Sequence, residues 1–235
     1  MRSTDEPADV PPAGEAERPS IQMLRPHLEG LPPLGPALSA LPQGYRLRPY
    51  LHRDVSGWTA LMNTGQMGEW TAQRTREQLT GRPWPQFDPA GLFVVTSPPA
   101  GWTAAGRAPP DAGSPAAGEA VVASACAWLT APEERETGTL HMVCVLPEHR
   151  GRGLSYPLCL AVLHRFRERG FRRVRLNTHD WRLGAVKVYL RLGFQPLYRH
   201  PRHPEQWAGV LRALRWTAPV APQEELDSWS GATIG

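Results

Sequence analysis

The stretch Val143-Cys144-Val145-Leu146-Pro147-Glu148-His149-Arg150-Gly151-Arg152-Gly153-Leu154-Ser155-Tyr156 decides how the rest of the chain is read. An apolar run stops at a proline, and a short loop rich in Gly and Arg follows. Apolar residues then recur at three and four residue spacing, at Leu154, Leu158, Val162 and Phe166, with Cys159 and Leu163 beside them. The pattern is strand, loop, helix. Pro157 is tolerated because it falls in the first turn, and Gly170 is placed to end the helix. Successive backbone N–H groups of such a loop, with the unpaired donors of the first helical turn, make a concave anion site. Gly151 and Gly153 let the backbone approach a phosphate, while Arg150 and Arg152 add charge, so the segment suits a pyrophosphate. A Walker A loop would end in Gly-Lys-Ser/Thr and a dinucleotide fingerprint would read G-x-G-x-x-G; the segment has neither.

Working outward, the chain reads as alternating strands and helices. Strands are expected at Tyr45–Tyr50, Leu92–Thr96, Ala120–Leu129, Thr139–Leu146, Arg173–Thr178 and Phe194–Tyr198. Asp54 is placed to cap a short helix through Trp58 and Leu61; Thr71–Leu79 is a second helix, closed by Gly81 and Pro83. Leu183–Leu192 is a helix ended by Gly193, and Pro204–Leu214 a last one with Trp207, Val210, Leu211 and Leu214 inward. Residues 1–42 hold nine prolines and no sustained apolar period. Residues 1–43 are therefore expected to form a mostly disordered arm, though Leu24, Leu28, Leu31, Leu34, Leu38 and Leu41 could anchor part of it. In 97–118, 16 of 22 residues are Pro, Gly or Ala, which predicts a flexible insertion between two strands. The acidic tail 217–235 is expected to fray, leaving 44–216 as one domain.

Charge narrows the function. The 235 residues carry a net +4, and 41% are hydrophobic, enough for a core and against a fully disordered chain. Between Leu146 and Trp216, 14 Arg and one Lys face only Glu148, Glu168, Asp180 and Glu205, a net of +11. That clustering predicts a polyanionic partner, either a phosphate-bearing cofactor or nucleic acid. Cys126, Cys144 and Cys159 lack C-x-x-C spacing and sit in apolar runs, so they read as free thiols of a reducing compartment. The N-terminus lacks a signal-peptide layout, and the longest weakly polar run, Ala120–Leu129, is about half of a bilayer span. A cytoplasmic location without membrane contact is expected. His200 and His203 are spaced H-x-x-H but flanked by prolines, and no metal site is expected.

Arg150-Gly-Arg-Gly-Leu-Ser155 resembles the R/Q-x-x-G-x-G/A cofactor motif of the GNAT acyltransferase superfamily, with Ser155 where Gly or Ala is usual. Farther on, Ala185, Tyr189, Gly193 and Phe194 resemble the family's A-x-x-x-Y-x-x-x-G-F helix and following strand, in the right order and at the right distance. The resemblance implies an α/β fold whose mixed central sheet splays at a cofactor cleft and is flanked by helices. It also implies transfer of an acetyl group from acetyl-CoA to a primary amine by direct attack. Val143, Cys144 and Val145 would pair with the pantetheine arm, and Arg150, Gly151, Arg152, Gly153, Leu154, Ser155 and Tyr156 would cradle the pyrophosphate. Tyr189 would protonate the departing thiolate, and the Val145 region would polarise the carbonyl.

A general base is less clearly marked. Asn177 stands where relatives that acetylate protein N-termini carry glutamate, and Arg182 replaces a cofactor-contacting asparagine. His141 and Asp180, with His179 beside the latter, are the candidates. Ser155, Asn177 and Arg182 motivate an alternative, a non-catalytic CoA-binding sensory module. Arg165, Arg167, Arg169, Arg172, Arg173 and Arg175 exceed what CoA needs and motivate another, a nucleic-acid-binding protein. The latter is disfavoured because the stretch lacks interleaved aromatics for base stacking. The amine acceptor stays unidentified, and the reading admits a homodimer.

Overall fold

The computed structural model describes residues 18–64, 68–80, 87–97, 119–129 and 136–221. In chain order its elements are β1 (Ile21–Arg25), α1 (Leu34–Ser39), β2 (Arg46–Pro49), a 3₁₀ turn (His52–Asp54), α2 (Val55–Asn63), α3 (Ala72–Thr80), β3 (Phe87–Ser97) and β4 (Ala120–Trp128). There follow β5 (Thr137–Val145), a second 3₁₀ turn (Pro147–His149), α4 (Ser155–Glu168), β6 (Arg173–Thr178), α5 (Leu183–Arg191), β7 (Gln195–Leu197) and α6 (His203–Ala213). The strands form one mixed sheet in the order β2-β3-β4-β5-β6-β1-β7, in which β5 and β6 are parallel and the other neighbours antiparallel.

Alternation along β4 divides the interior. Ala123, Ala125 and Ala127 join the core built on α4, with Leu158, Val162 and Phe166. Cys126, in contrast, joins Trp58, Leu61 and Trp70 of the α2 and α3 side, and Ser124 accepts a 2.8 Å hydrogen bond from Trp58 Nε1. A strand sends successive side chains to opposite faces, so α2 and α4 cover opposite faces of the sheet. The three alanines on the α4 face of β4 let that helix lie close. Closeness is greatest at Gly138 of β5, where a Cβ would collide with the Phe166 ring.

The N-terminal arm differs from expectation. From Arg18 onward it is ordered, and β1 lies inside the sheet, with Ile21 and Met23 fully buried and Leu24 nearly so. Five residues between prolines are too few to show a period, which is why the strand is silent in the sequence; its backbone is paired by β6 and β7 on either side, and Ile21 and Met23 join the core. Leu28 and Leu31 continue into the core, and α1 packs on α4. The earlier part of the arm, the insertion beyond Ser97 and the tail beyond Ala221 lie outside the described residues. Asp54 also differs: it makes no side-chain cap on α2. Its carboxylate accepts from the Leu51 N–H at 2.7 Å and from both Arg48 Nη atoms at 2.7 and 2.8 Å, tying the 3₁₀ turn to β2 instead.

Candidate active site

The cleft originates in one residue of β5. Ser124 pairs with Cys144, but Cys126 pairs with His141, so three steps on β5 oppose two on β4. Met142 absorbs the extra residue at φ 51°, a left-handed conformation unusual for a side chain of its size. The bulge inverts the strand. Leu140 belongs to the α4 core and Met142 and Cys144 to the α2 side, while Val143 and Val145 pack towards α4. It also bends β5 away from β6, whose pairing runs only from Thr137 to Thr139. Beyond that point the β6-facing backbone edge of β5 opens on a cavity of about 500 Å³.

Two helices start at this cavity. It is lined by Val143–Val145, by the loop and first turn from His149 to Tyr156, and across the gap by Thr178, residues 181–185, Val188, Tyr189 and Arg191. All ten residues expected around the cofactor, from Val143 to Tyr156, are therefore brought together. Neither α4 nor α5 carries a side-chain cap at its N-terminus, so the first-turn amides of both point their partial positive charge at one space. Gly151 and Gly153 have φ +71° and +77°, and a Cβ on either would meet nothing within 4 Å. Both glycines are thus needed for the left-handed turn itself, and the space beside them is open on the protein side. Arg150 folds back, its Nε donating to the Val145 carbonyl at 3.1 Å, which fastens the loop to the strand end.

Tyr189 lines the far wall of the cavity and is 6% exposed. Burial pushes its phenol up, the neighbouring Cys159 adds to this, and the Arg182 charge opposes it. The hydroxyl therefore holds its proton and can give it up only to a strong base formed beside it. Phe194 meets the Tyr189 ring edge-on with centroids 6.0 Å apart. Gly193, between them in the motif, is required twice over: its φ is +81°, and a Cβ there would strike the Arg25 guanidinium, which donates to the Leu192 carbonyl.

The base candidates separate. Asp180 is buried, outside the cavity lining, and its carboxylate is held by Arg18 at 3.0 Å and by Gln206 Nε2 at 3.2 Å. His179 stacks on Trp181, centroids 5.5 Å apart and 17° from parallel, and burial together with the Arg182 charge lowers its pKa. His141 sits on β5 just before the bulge, edge-on to Trp128 at 5.0 Å, and burial lowers its pKa too. It is not part of the cavity lining and faces the α2 side of the sheet. Asn177 is exposed and pairs with Gln22 of β1. Of the surplus arginines, Arg172 and Arg173 meet Glu136 at 3.6 and 3.1 Å, and Arg165 meets Glu168 at 3.6 Å. His203 bonds the Ser20 carbonyl, joining α6 to the chain entering β1. Among the described residues no cluster of three or more His, Cys, Asp or Glu gathers, and no helix is long and apolar enough to cross a membrane. The bulge at Met142 was invisible in the sequence, since methionine carries no turn preference.

A family model described as the acetyltransferase (GNAT) family matches residues 74–194, from α3 through the Tyr189 helix to Phe194. The chain belongs to the GNAT family. Among curated GNAT relatives, a mycothiol acetyltransferase of Nocardia farcinica is 34% identical over 133 residues, 57% of this chain and 37% of that protein. A mycothiol acetyltransferase of Thermobispora bispora is 32% identical over 166 residues, 66% of this chain and 48% of that protein. The chain thus spans half or less of the length of these relatives. The fold is shared with a GCN5-related glucosamine N-acetyltransferase region of a fungal multi-domain β-N-acetylglucosaminidase, at 13% identity and TM-score 0.50, covering 77% of this chain and 20% of that one.

Proposed function

We propose that this GNAT domain transfers an acetyl group from acetyl-CoA to a primary amine by direct attack. The observation that carries the reading is the β5 edge past Thr139, left by β6 and facing a cavity with two helix N-termini at its rim. A buried strand edge needs a hydrogen-bonding partner, and the amide-bearing arm of a pantetheine supplies one in strand geometry. The Gly151–Gly153 loop and the first turn of α4 receive the pyrophosphate.

The residues divide the work as follows. Backbone N–H groups of Val143 and Val145, which alternate with the β4-bonded amide of Leu146, hold the arm and polarise the thioester carbonyl, so the attacking nitrogen meets a fixed, electron-poor carbon. As the C–N bond forms and the C–S bond breaks, Tyr189 gives its proton to the thiolate sulfur. The proton lost by the amine passes to water in the cavity, since His141 lies outside the cavity lining. Asp180 has no part in that transfer, because Arg18 and Gln206 occupy its carboxylate. The likeness to mycothiol acetyltransferases makes their acceptor the first amine to try. The experiment is thiol release from acetyl-CoA, followed continuously, against a panel of primary amines that includes it. Amine-dependent release is expected; CoA binding without release for any amine would favour the sensory reading, in which the cleft binds but does not react.

A further inference from the structure

Tyr45 and His149 are 104 residues apart in the chain, yet the Tyr45 hydroxyl lies 2.7 Å from Nδ1 of His149. Their rings meet edge-on, 78° from parallel, with centroids 5.7 Å apart. His149 closes the 3₁₀ turn that leads into Arg150–Gly153, and it lines the cavity. Tyr45 stands just before β2, its backbone N–H bonded to the Pro42 carbonyl at 3.0 Å and its ring against the α4 core. A neutral imidazole has one acceptor nitrogen and one N–H. A phenol can donate to Nδ1 or accept from it; the arrangement in which it donates puts the ring proton at Nε2, and the edge contact restrains the ring.

We propose that His149 is a phosphate ligand of the cleft and that Tyr45 is its positioning residue: Nε2–H of His149 donates to a pyrophosphate oxygen of the acyl-CoA. The proposal rests on the reading of the cleft as an acyl-CoA site. Three features of the position favour it. The imidazole stands beside Arg150, on the loop whose two left-handed glycines turn its amides to one side. It precedes the uncapped first turn of α4, where negative charge is favoured. And a phenol, unlike a backbone carbonyl, can donate to Nδ1, which is the arrangement that leaves Nε2–H to donate to phosphate.

The test is titration of the full chain with CoA and with acetyl-pantetheine at millimolar concentration, which keeps the thioester arm but lacks the pyrophosphate and nucleotide. His149→Phe is expected to weaken CoA binding about tenfold, the size of one hydrogen bond to a charged group, and to leave acetyl-pantetheine within about twofold. His149→Gln, whose amide N–H reaches a similar place, should recover most of the CoA affinity, and it serves if the Phe variant does not fold. Tyr45→Phe should weaken CoA a few-fold in the parent chain and add nothing in the His149→Phe background. That cycle on CoA alone separates positioning from simple loop support, because independent losses add. Unchanged CoA affinity in His149→Phe, equal losses for both ligands, or additive losses in the cycle would each overturn the proposal. A parent chain that binds neither ligand would instead remove the cleft reading, and this proposal with it.

Discussion

The carboxylate of Asp180 lies 3.0 Å from the guanidinium of Arg18, so a residue at the mouth of the β6–α5 loop is tied to the chain entering β1. Asp180 is 7% exposed and Arg18 46%. From sequence, Asp180 is a candidate base; in the structure it fastens the loop that presents Trp181 and Arg182 to the cavity. Asp180→Asn should therefore lower stability by about 1 kcal/mol, because Gln206 remains as a partner and the Arg18 side is partly hydrated. Its activity should fall less than about threefold, read from initial rates of thiol release beside thermal denaturation. A loss of a hundredfold or more would return Asp180 to the chemistry.

Tyr189→Phe removes the proton and leaves the shape. The expected result is a kcat lower by about a hundredfold, the lower range for a positioned acid, with the acetyl-CoA KM within about twofold. An unchanged kcat would take Tyr189 out of the acid role.

Two glycines should respond differently to alanine. Gly138→Ala places a methyl group in the Phe166 ring, and moving β5 from α4 should cost about 2–3 kcal/mol by overpacking. Gly151→Ala meets open space but holds φ at +71°, a cost of about 1 kcal/mol. Its larger effect should be on CoA affinity, through a distorted loop. Denaturant unfolding and CoA titration of both variants separate packing from conformation.

The pH dependence has a definite sign. Burial pushes the Cys159 thiol up to about 12, and raises Cys126 and Tyr189 as well. In the unfolded chain these groups ionise at ordinary values, near 9 for the thiols and 10 for the phenol. The folded state holds more protons between the two, so stability is complete below about pH 9 and is lost as pH rises beyond it. On the acid side, His141 and His179 are lowered by burial. The unfolded chain then binds the extra protons, and stability falls as pH drops below about 6.5. A melting temperature that rose above pH 9 would contradict these assignments; Cys159→Val should flatten the alkaline loss.

Most strands and helices from Tyr45 onward were legible because each carries a local cause: a period, a proline stop or a glycine end. The loop at Arg150–Gly153 and the Tyr189 helix were legible for the same reason, and because their residue types suit phosphate and proton chemistry. What stayed hidden depends on distant partners. β1 is a strand because β6 and β7 flank it, and Ile21–Arg25 alone has too few residues to say so. Met142 takes its left-handed backbone from the β4–β5 register, which no side chain advertises. Asp180 could be read as a base until Arg18, 162 positions earlier, was found on it. Tyr45 and His149 were hidden in the same way.

The central claim is that the β5 edge opened by the Met142 bulge is where the pantetheine arm binds. Backbone amide exchange over Leu140–Leu146, with and without saturating acetyl-CoA, tests it most directly. Exchange at Val143 and Val145, whose amides alternate with the β4-bonded amide of Leu146, should slow at least about tenfold as the ligand pairs with that edge of the strand. Bound acetyl-CoA, verified by titration, with exchange at those amides unchanged would contradict it.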